Sequence, residues 1–245
     1  MNSRQQDIVN LLERQGEITI KALSEHFGVT EMTIHRDLDY LEEQRYLYKK
    51  RGAAVFVNSP DRAVSEFYAD EKREIGRKTA SLIKPGQSVI FDNSTTALET
   101  ARFLDGIRGL TFYTTNLETS AILSRYPDTI LYCSGGYLFP DSKGFTGRQA
   151  EDFVKSIHAD VCIIGTSGIS VERGLTNPYP MHTTLQRLII ESAKTRIVAA
   201  DHSKFGKIAM EKAADLTEID CIVTDRGLRE ELREEYSKFT DIIMA

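Results

Sequence analysis

The sequence predicts an α/β protein in which a small N-terminal helical module precedes a larger domain built on a parallel sheet. In residues 1–57, apolar side chains recur at helical spacing. From residue 84 onward, short apolar runs alternate with polar or glycine clusters and helical patterns, which is typical of strands buried on both faces of a sheet. The 245 residues, 41% of them hydrophobic, are enough for one small and one medium domain.

Two helices open the N-terminal module. Ser3 followed by Gln6 matches a capping box for a first helix, whose apolar stripe ends at Gly16. Residues 19–27 space their apolar side chains as a short amphipathic helix, which Gly28 can close in a left-handed conformation. We therefore expect a tight turn at residues 28–30.

A third helix follows this turn, with Thr30 as its N-cap. Ile34, Leu38 and Leu41 fall on one face of it, so the opposite face is free to meet a partner. Helix, turn and helix form a helix-turn-helix signature, whose second helix usually enters the major groove of DNA with its N-terminal end first. The candidate DNA contacts on this helix are Thr30, Met32, Thr33, His35 and Arg36.

Residues 46–57 alternate loosely around a basic tip and predict a two-stranded wing. Its candidate phosphate contacts are Lys49, Lys50 and Arg51. Residues 1–57 contain eight Lys or Arg and nine Asp or Glu, and the whole chain has a net charge of −5. DNA binding would therefore depend on charge focused at Arg36 and the wing, doubled by dimerisation. The acidic C-terminal half of the third helix would repel a polyanion.

These residues carry a family resemblance. The run Thr33-Ile34-His35-Arg36-Asp37-Leu38, followed by Leu41-Glu42 and by Arg51-Gly52-Ala53-Ala54, resembles the winged helix-turn-helix of DeoR-type bacterial transcriptional regulators. The resemblance implies a repressor whose C-terminal domain senses a sugar phosphate. The family usually has Arg in place of His35 and His-Gly-Gly-Ala in place of residues 51–54. We therefore expect the operator sequence to differ from the commonest one.

A boundary between two domains is predicted at residues 58–61, where Ser59-Pro60 interrupts the pattern. We assign residues 1–57 to the DNA-binding domain, 58–74 to a connector and 75–245 to an effector-sensing domain. The connector belongs to a charged helical stretch over residues 63–82, in which Lys72 is a candidate for transmitting a ligand signal. A solvated face is the alternative for these charges.

Seven apolar runs of strand length form the predicted sheet of the C-terminal domain. They are residues 89–91, 110–113, 130–133, 161–164, 197–200, 221–223 and 242–244. Small polar or glycine clusters follow at residues 92–96, 114–116, 134–136, 165–168, 201–206 and 224–225. In an open α/β sheet, ligands bind outside the carboxyl ends of the strands, so these clusters together predict a small-ligand site.

The chemistry of these clusters suits a phosphorylated polyol. Hydroxyls and backbone N–H groups at the start of a helix can face an anion, Lys204 offers a positive charge, and carboxylate or amide groups can bind sugar hydroxyls. The candidate effector contacts are Asp92, Ser94, Thr95, Thr96, Asn116, Gly135, Gly136, Gly165, Gly168, Asp201 and Lys204. For each of them a turn or capping role is the alternative.

The same clusters, above all Asp201-x-Ser203-Lys204-Phe205-Gly206, resemble the landmarks of the DeoR-type sensor domain. The resemblance implies a fold similar to ribose-5-phosphate isomerase and the coenzyme A transferases. We therefore expect a cytoplasmic repressor of a carbohydrate-utilisation operon, which binds operator DNA as a dimer or tetramer and is released by a phosphorylated sugar. The expected protein has no cofactor, no metal and no membrane segment.

A second hypothesis is a sugar-phosphate isomerase or transferase that carries a DNA-binding domain. Asp92, Glu191 and Lys204 would then supply the acid, the base and an electrostatic group. The family resemblance favours sensing over turnover. For the cysteines, Cys133, Cys162 and Cys221, we expect reduced core residues, because all three lie in apolar runs without ligand spacing. For His202 we expect a passive place in its loop.

Overall fold

The computed structural model describes residues 1–44, 46–57 and 66–245. The chain forms two compact units, Met1–Ala69 and Asp70–Ala245. The predicted boundary at residues 58–61 and the first part of the connector lie outside the described residues. None of the described helices combines the length and the apolar character that a bilayer span requires.

The first unit is a winged helix-turn-helix. Its elements are α1 (Ser3–Gln15), β1 (Glu17–Thr19), α2 (Ile20–Phe27), α3 (Glu31–Glu43), β2 (Leu47–Lys50) and β3 (Ala53–Phe56). The strands form an antiparallel sheet in the order β1, β3, β2. The wing turns at Arg51 and Gly52, both in the left-handed region of backbone conformation. The prediction of a helix-turn-helix with a two-stranded wing is confirmed.

Local capping fixes the ends of these helices. The predicted cap of α1 is wrong by one residue, because Asn2 rather than Ser3 accepts the amide of Gln5 at 2.9 Å. The Gln5 side chain accepts the amide of Asn2 in return, at 2.8 Å. Asn is as strong an N-cap as Ser, so the sequence alone does not separate the two. Gly28 closes α2 with a φ of +61°, and Thr30 caps α3 as expected.

The second unit is an α/β domain. Its helices are α4 (Ala69–Ala80), α5 (Thr95–Ala101), α6 (Leu117–Leu123), α7 (Arg148–Lys155), α8 (Pro180–Glu191) and α9 (Glu230–Tyr236). Its strands are β4 (Ser88–Phe91), β5 (Thr111–Thr114), β6 (Ile130–Cys133), β7 (Tyr137–Phe139), β8 (Gly144–Thr146), β9 (Ala159–Ile164), β10 (Gly168–Ser170), β11 (Gly174–Asn177), β12 (Ala193–Ala199), β13 (Glu211–Ala214), β14 (Cys221–Thr224) and β15 (Asp241–Met244). Short 3₁₀ turns lie at His202–Lys204 and Leu216–Glu218.

A seven-stranded parallel sheet forms the centre of the second unit. Its order is β15, β14, β12, β9, β4, β5, β6, and every neighbouring pair is parallel. All seven predicted strand runs lie in it. The chain moves outward from β4 through β5 and β6, and then returns to β9 on the other side of β4. The strand order therefore reverses between β4 and β9, which is where ligands bind in open α/β sheets.

Helices cover both faces of this sheet. Alternate strand residues such as Ile90 and Cys162 share one core with α7, α8 and α9. Their neighbours Phe91 and Val161 share the other core with α4, α5 and α6. Burial on both faces explains why these strands are continuously apolar in the sequence.

Two antiparallel pieces were not predicted. β10, β11 and β13 form a three-stranded sheet, and β7 pairs with β8 in a hairpin. β10 and β11 follow β9, β13 follows β12, and the hairpin of β7 and β8 follows β6, so each of them comes after a strand of the central sheet. They therefore add structure close to the carboxyl ends of the parallel strands.

The expectation of three buried cysteines is wrong for Cys133. Cys162 and Cys221 are buried free thiols, and burial raises the pKa of Cys162 to about 12 and the pKa of Cys221 to about 11. Cys133 is a free thiol exposed to solvent. It ends β6 at the edge of the sheet, where most of the strand's side chains remain accessible.

Candidate DNA-binding surface and effector site

The free face of α3 is open to a partner. Met32, His35 and Arg36 are exposed opposite the buried stripe of the helix, and Met32 keeps 66% of its surface accessible. Thr30 and Thr33 stand at the N-terminal end, where their hydroxyl oxygens lie 3.0 Å apart. All five candidate contacts of this helix therefore lie near one accessible end of the recognition helix.

Three acidic residues of α3, Asp37, Asp39 and Glu42, have cationic partners within the protein. Buried Asp37 accepts a hydrogen bond from Arg4 at 2.5 Å, which ties α3 to α1. Asp39 and Glu42, two and five residues further along the helix, both contact Lys49 of the wing. These ion pairs reduce the repulsion that the sequence predicted between this half of the helix and DNA.

The cations of the wing have two kinds of environment. The Nζ atom of Lys49 lies 2.6 Å from Asp39 Oδ1 and 3.2 Å from Glu42 Oε2. Burial acts to lower the pKa of Lys49, but hydrogen bonds and charge from the two carboxylates hold that pKa above its usual value. Lys50 and Arg51 are exposed at the tip, and no carboxylate of the described residues forms an ion pair with either. The tip itself is therefore a two-cation surface.

In the second unit, Asp92 lies directly after β4 and connects several segments of the candidate site by hydrogen bonds. Its buried carboxylate accepts the amides of Ser94 and Gly165, each at 2.9 Å, and the side-chain amide of Gln186 at 3.1 Å. Burial raises the pKa of Asp92, although these donors act to lower it. Gly165 follows β9, so Asp92 joins two loops where the strand order reverses.

Gln186 is a residue of the site that the sequence analysis missed. Its Nε2 donates to the carbonyl of Gly165 at 2.5 Å as well as to Asp92, and its Oε1 accepts from Asn177 Nδ2 at 2.7 Å. The Oδ1 of Asn177 in turn accepts the amide of Ser167 at 3.1 Å. One buried side chain of α8 thus fixes the loop after β4, the loop after β9 and the end of β11.

The loop after β12 supplies a second carboxylate and a cation. Asp201 is completely buried, and its Oδ1 accepts both the amide and the hydroxyl of Ser203. Its Oδ2 has no hydrogen-bond partner among the described residues, and Lys204 Nζ lies 3.9 Å away. Gly206 donates its amide to Ile169 of β10 at 2.8 Å, so this loop lies beside the loop after β9.

The ring of His202 has a defined partner, which corrects the passive role expected for it. Its Nδ1 lies 2.7 Å from Asp225 Oδ2, and its amide donates to Asp225 Oδ1 at 2.8 Å. Burial acts to lower the pKa of His202, but Asp225 raises that pKa above its usual value. Burial acts to raise the pKa of Asp225, but the bonds from His202 lower it. The pair fastens the loop after β12 to the loop after β14.

Asn116, after β5, uses its side chain within the protein. Its Oδ1 accepts the amide of Thr119 at 2.9 Å, and its Nδ2 donates to the carbonyl of Ser142 at 2.8 Å. This is the capping alternative considered for it. Gly135 and Gly136 follow β6 with φ values of +60° and +109°, next to the hairpin of β7 and β8.

Close packing brings the remaining candidates together. Ser94 caps α5, and a Cβ atom added at Gly165 would overlap its side chain. A Cβ atom at Gly168 would lie 2.5 Å from the carbonyl oxygen of Lys207. The start of β10 therefore packs closely against the segment that follows Lys204. The structure therefore gathers these candidates in neighbouring loops and at the first residues of α5 and β10. They are Asp92, Ser94, Thr95, Thr96, Gly165, Gly168, Asp201 and Lys204. Asn116, Gly135 and Gly136 extend this rim across β5 and β6.

Known families match both units. Residues 4–60 match the DeoR-like helix-turn-helix domain, and residues 68–226 match the DeoR C terminal sensor domain. The chain belongs to the DeoR family of transcriptional regulators. A DeoR-family regulator binds DNA through its helix-turn-helix, and the resemblance stated from the sequence is confirmed.

Individual relatives of this DeoR-family protein match along nearly its whole length. The HTH-type transcriptional regulator GolR of Listeria innocua is 33% identical over 97% of this chain and 94% of the relative. The glycerol-3-phosphate regulon repressor of Escherichia coli is 32% identical over 91% of this chain and 90% of the relative. Among solved structures, ribose 5-phosphate isomerase A from Methanocaldococcus jannaschii is similar over 56% of this chain and 55% of that chain, with a TM-score of 0.42 and 16% identity.

Proposed function

We propose that this DeoR-family regulator represses a carbohydrate-utilisation operon and leaves its operator when a small phosphorylated sugar binds the sensor unit. The observation that carries the proposal is the pair of Asp201 and Lys204 at the carboxyl end of β12, 3.9 Å apart. Lys204 offers a charged donor for a phosphate oxygen, and the buried carboxylate of Asp201 holds the same loop by accepting the amide and the hydroxyl of Ser203. The name of the Escherichia coli relative, a glycerol-3-phosphate regulon repressor, supports this class of effector.

The other candidate residues divide into contacts and supports. Thr95 and Thr96, at the start of α5, offer hydroxyl groups to the effector. Asp92 and Asn116 already use their side-chain atoms within the protein, so they hold the loops in position. Gly165 allows the loop after β9 to pack directly on Ser94. The effector would then be held by few side chains on a rigid frame.

The DNA interface uses the accessible end of α3 and the tip of the wing. Arg36 and His35 have the donors to read base edges in the major groove, with Met32 as an apolar contact. Lys50 and Arg51 are placed on the phosphate backbone. Because few cations of the first unit are free of an ion pair among its described residues, we infer that a homodimer or tetramer presents two such units to a repeated operator.

We infer sensing rather than turnover for the second unit. Asp92 and Lys204 follow the carboxyl ends of β4 and β12. Glu191 instead ends α8, and Ala193, two residues later, opens β12 beside Ala159 at the amino ends of the strands. Asp92 and Lys204 thus lie at one end of the parallel strands and Glu191 lies near the other end, which argues against one reaction centre.

A mobility-shift assay tests the proposal with DNA from upstream of the protein's own gene. The operator complex is titrated with a panel of triose, pentose and hexose phosphates and with the matching unphosphorylated sugars. A coupling of about 1 to 3 kcal/mol is typical of allosteric proteins, so we expect one phosphorylated sugar to lower affinity roughly 5 to 150-fold. Equal release by a sugar and its phosphate would exclude phosphate recognition. Conversion of any panel member by the purified protein would favour the enzyme.

A further inference from the structure

Lys49 is joined to α3 by three contacts, although it lies in the wing. Its amide donates to Glu42 Oε1 at 2.9 Å, and its ammonium lies 3.2 Å from Glu42 Oε2 and 2.6 Å from Asp39 Oδ1. We refer to these three residues, Asp39, Glu42 and Lys49, as the Lys49 clamp. The clamp connects strand β2 to the C-terminal half of the recognition helix.

Strand geometry separates Lys49 from its neighbour Lys50. Successive side chains of a strand point to opposite faces, so Lys49 shares a face with Leu47, which is completely buried. Lys50 points to the other face and is exposed. Two lysines that are adjacent in the sequence therefore have different surroundings, one against α3 and one in solvent.

Burial favours the clamp over a DNA contact for Lys49. The side chain of Glu42 is only 3% exposed, whereas that of Lys49 is 31% exposed. A buried carboxylate depends on nearby positive charge or hydrogen-bond donors for its stability. Movement of the ammonium to a phosphate would give up both carboxylate contacts and would leave more negative charge facing the DNA. The clamp is thus the more stable position of the ammonium.

We propose that Lys49 is a positioning residue of the DNA interface, which holds the wing against the recognition helix and does not itself bind a phosphate. The clamp fixes the direction in which β2 leaves α3. It thereby sets where Lys50 and Arg51 meet the DNA backbone while α3 lies in the major groove. The inference rests on the proposed contact between wing and phosphate, and the experiment separates the two.

The experiment compares Lys49→Met with Lys50→Met in the full chain. Affinity for a DNA duplex of arbitrary sequence is measured between about 50 and 200 mM salt, because phosphate contacts do not depend on base sequence. Both variants lose one positive charge from the same strand, so the difference between their salt slopes reports direct phosphate contact rather than net charge. Hydrogen exchange of the amides in residues 46–57 is measured in parallel without DNA.

In Lys49→Met the released wing still brings Lys50 and Arg51 to the phosphates, but it must be ordered on binding. We therefore expect the slope of log affinity against log salt to fall by about 0.9 more in Lys50→Met than in Lys49→Met. Lys49→Met should bind several-fold more weakly and exchange the amides of β2 faster, because the wing is no longer held. Lys50→Met should exchange at the wild-type rate. Lys49→Arg, which keeps the charge and can reach both carboxylates, should restore affinity and exchange protection.

Equal losses of slope in the two methionine variants, with unchanged exchange in Lys49→Met, would make Lys49 a phosphate ligand and overturn the inference. A wild-type slope in Lys50→Met would instead refute the wing contact on which the inference rests. Asp39→Asn is a second probe that spares the core, since the Asp39 side chain is 58% exposed. It should also speed exchange in β2, and wild-type exchange in this variant would count against the clamp.

Discussion

Gln186→Met tests how the loops of the sensor unit are held together. Methionine has nearly the length and volume of glutamine, so the substitution leaves little cavity but removes the amide group. Asp92 Oδ2 and the carbonyl of Gly165 then lose a donor, at 3.1 and 2.5 Å in the structure, and Asn177 Nδ2 loses its acceptor at 2.7 Å. All three groups are buried, so water does not replace the lost bonds easily.

The size of the effect follows from these three groups. A hydrogen bond to a charged group contributes about 1.5 to 3 kcal/mol, and each buried polar group left without a partner costs about 1 to 3 kcal/mol. Asp92 keeps the amides of Ser94 and Gly165, which limits its own loss. We therefore expect a destabilisation of about 4 kcal/mol. For a unit of this size that corresponds to a fall in Tm of roughly 8 to 16 °C.

Scanning calorimetry of the full chain measures this effect as a shift of the transition of the second unit. Thr184→Met is the matched control, because Thr184 lies on the exposed side of the same helix. We expect the control to stay within about 0.5 kcal/mol of the wild type. A loss in Gln186→Met no larger than in the control would refute the reasoning, since the buried amide would then contribute nothing to the frame.

Three further predictions concern the two proposed surfaces and one ion pair. Arg36→Ala should weaken operator binding by about 1 to 3 kcal/mol at fixed salt if Arg36 reads a base edge, and unchanged affinity in a mobility-shift assay would remove it from the interface. Lys204→Ala should keep operator affinity but lose release by the sugar phosphate, and a variant that still responds would place the phosphate elsewhere. The pKa of His202 is raised and the pKa of Asp225 is lowered, so the stability from their pairing is fully present between about pH 4 and 6.5. This stability is lost as pH rises through the raised pKa of His202. The free energy of unfolding in urea should therefore differ most between the wild type and Asp225→Asn from about pH 4 to 6.5. A difference that does not change with pH would exclude a charged pair.

The central sheet could be predicted because its strands carry a strong local signal. Strands buried on both faces must be apolar at every position, as in residues 161–164, and all seven runs of this kind proved to be strands of the sheet. β10 and β11 carry no such signal, since each is short and begins with a glycine, Gly168 and Gly174. Their pairing partners supply the structure that their own composition does not indicate.

The partners of the site residues could not be predicted in the same way. Gln186 donates to a carboxylate 94 positions earlier in the chain, and no local pattern records a contact of that separation. The one available signal was its position three and four residues before Ile189 and Ile190, which places a polar side chain on the apolar face of α8. A polar residue on an apolar face needs a buried partner, and Asp92 is the partner that this fold provides.

A loop motif does not show which of its side chains keep polar atoms available for a ligand. The sequence suggested Asp92, Asn116 and Lys204 alike as effector contacts. The polar side-chain atoms of Asp92 and Asn116, however, form hydrogen bonds with groups of the protein. Lys204 keeps its ammonium 3.9 Å from an oxygen that lacks any partner among the described residues. If unused hydrogen-bonding capacity decides which residues bind, variants of Asp92 should act on stability and variants of Lys204 on the response to effector. The same criterion in the first unit separates Lys49, whose ammonium is engaged, from Lys50.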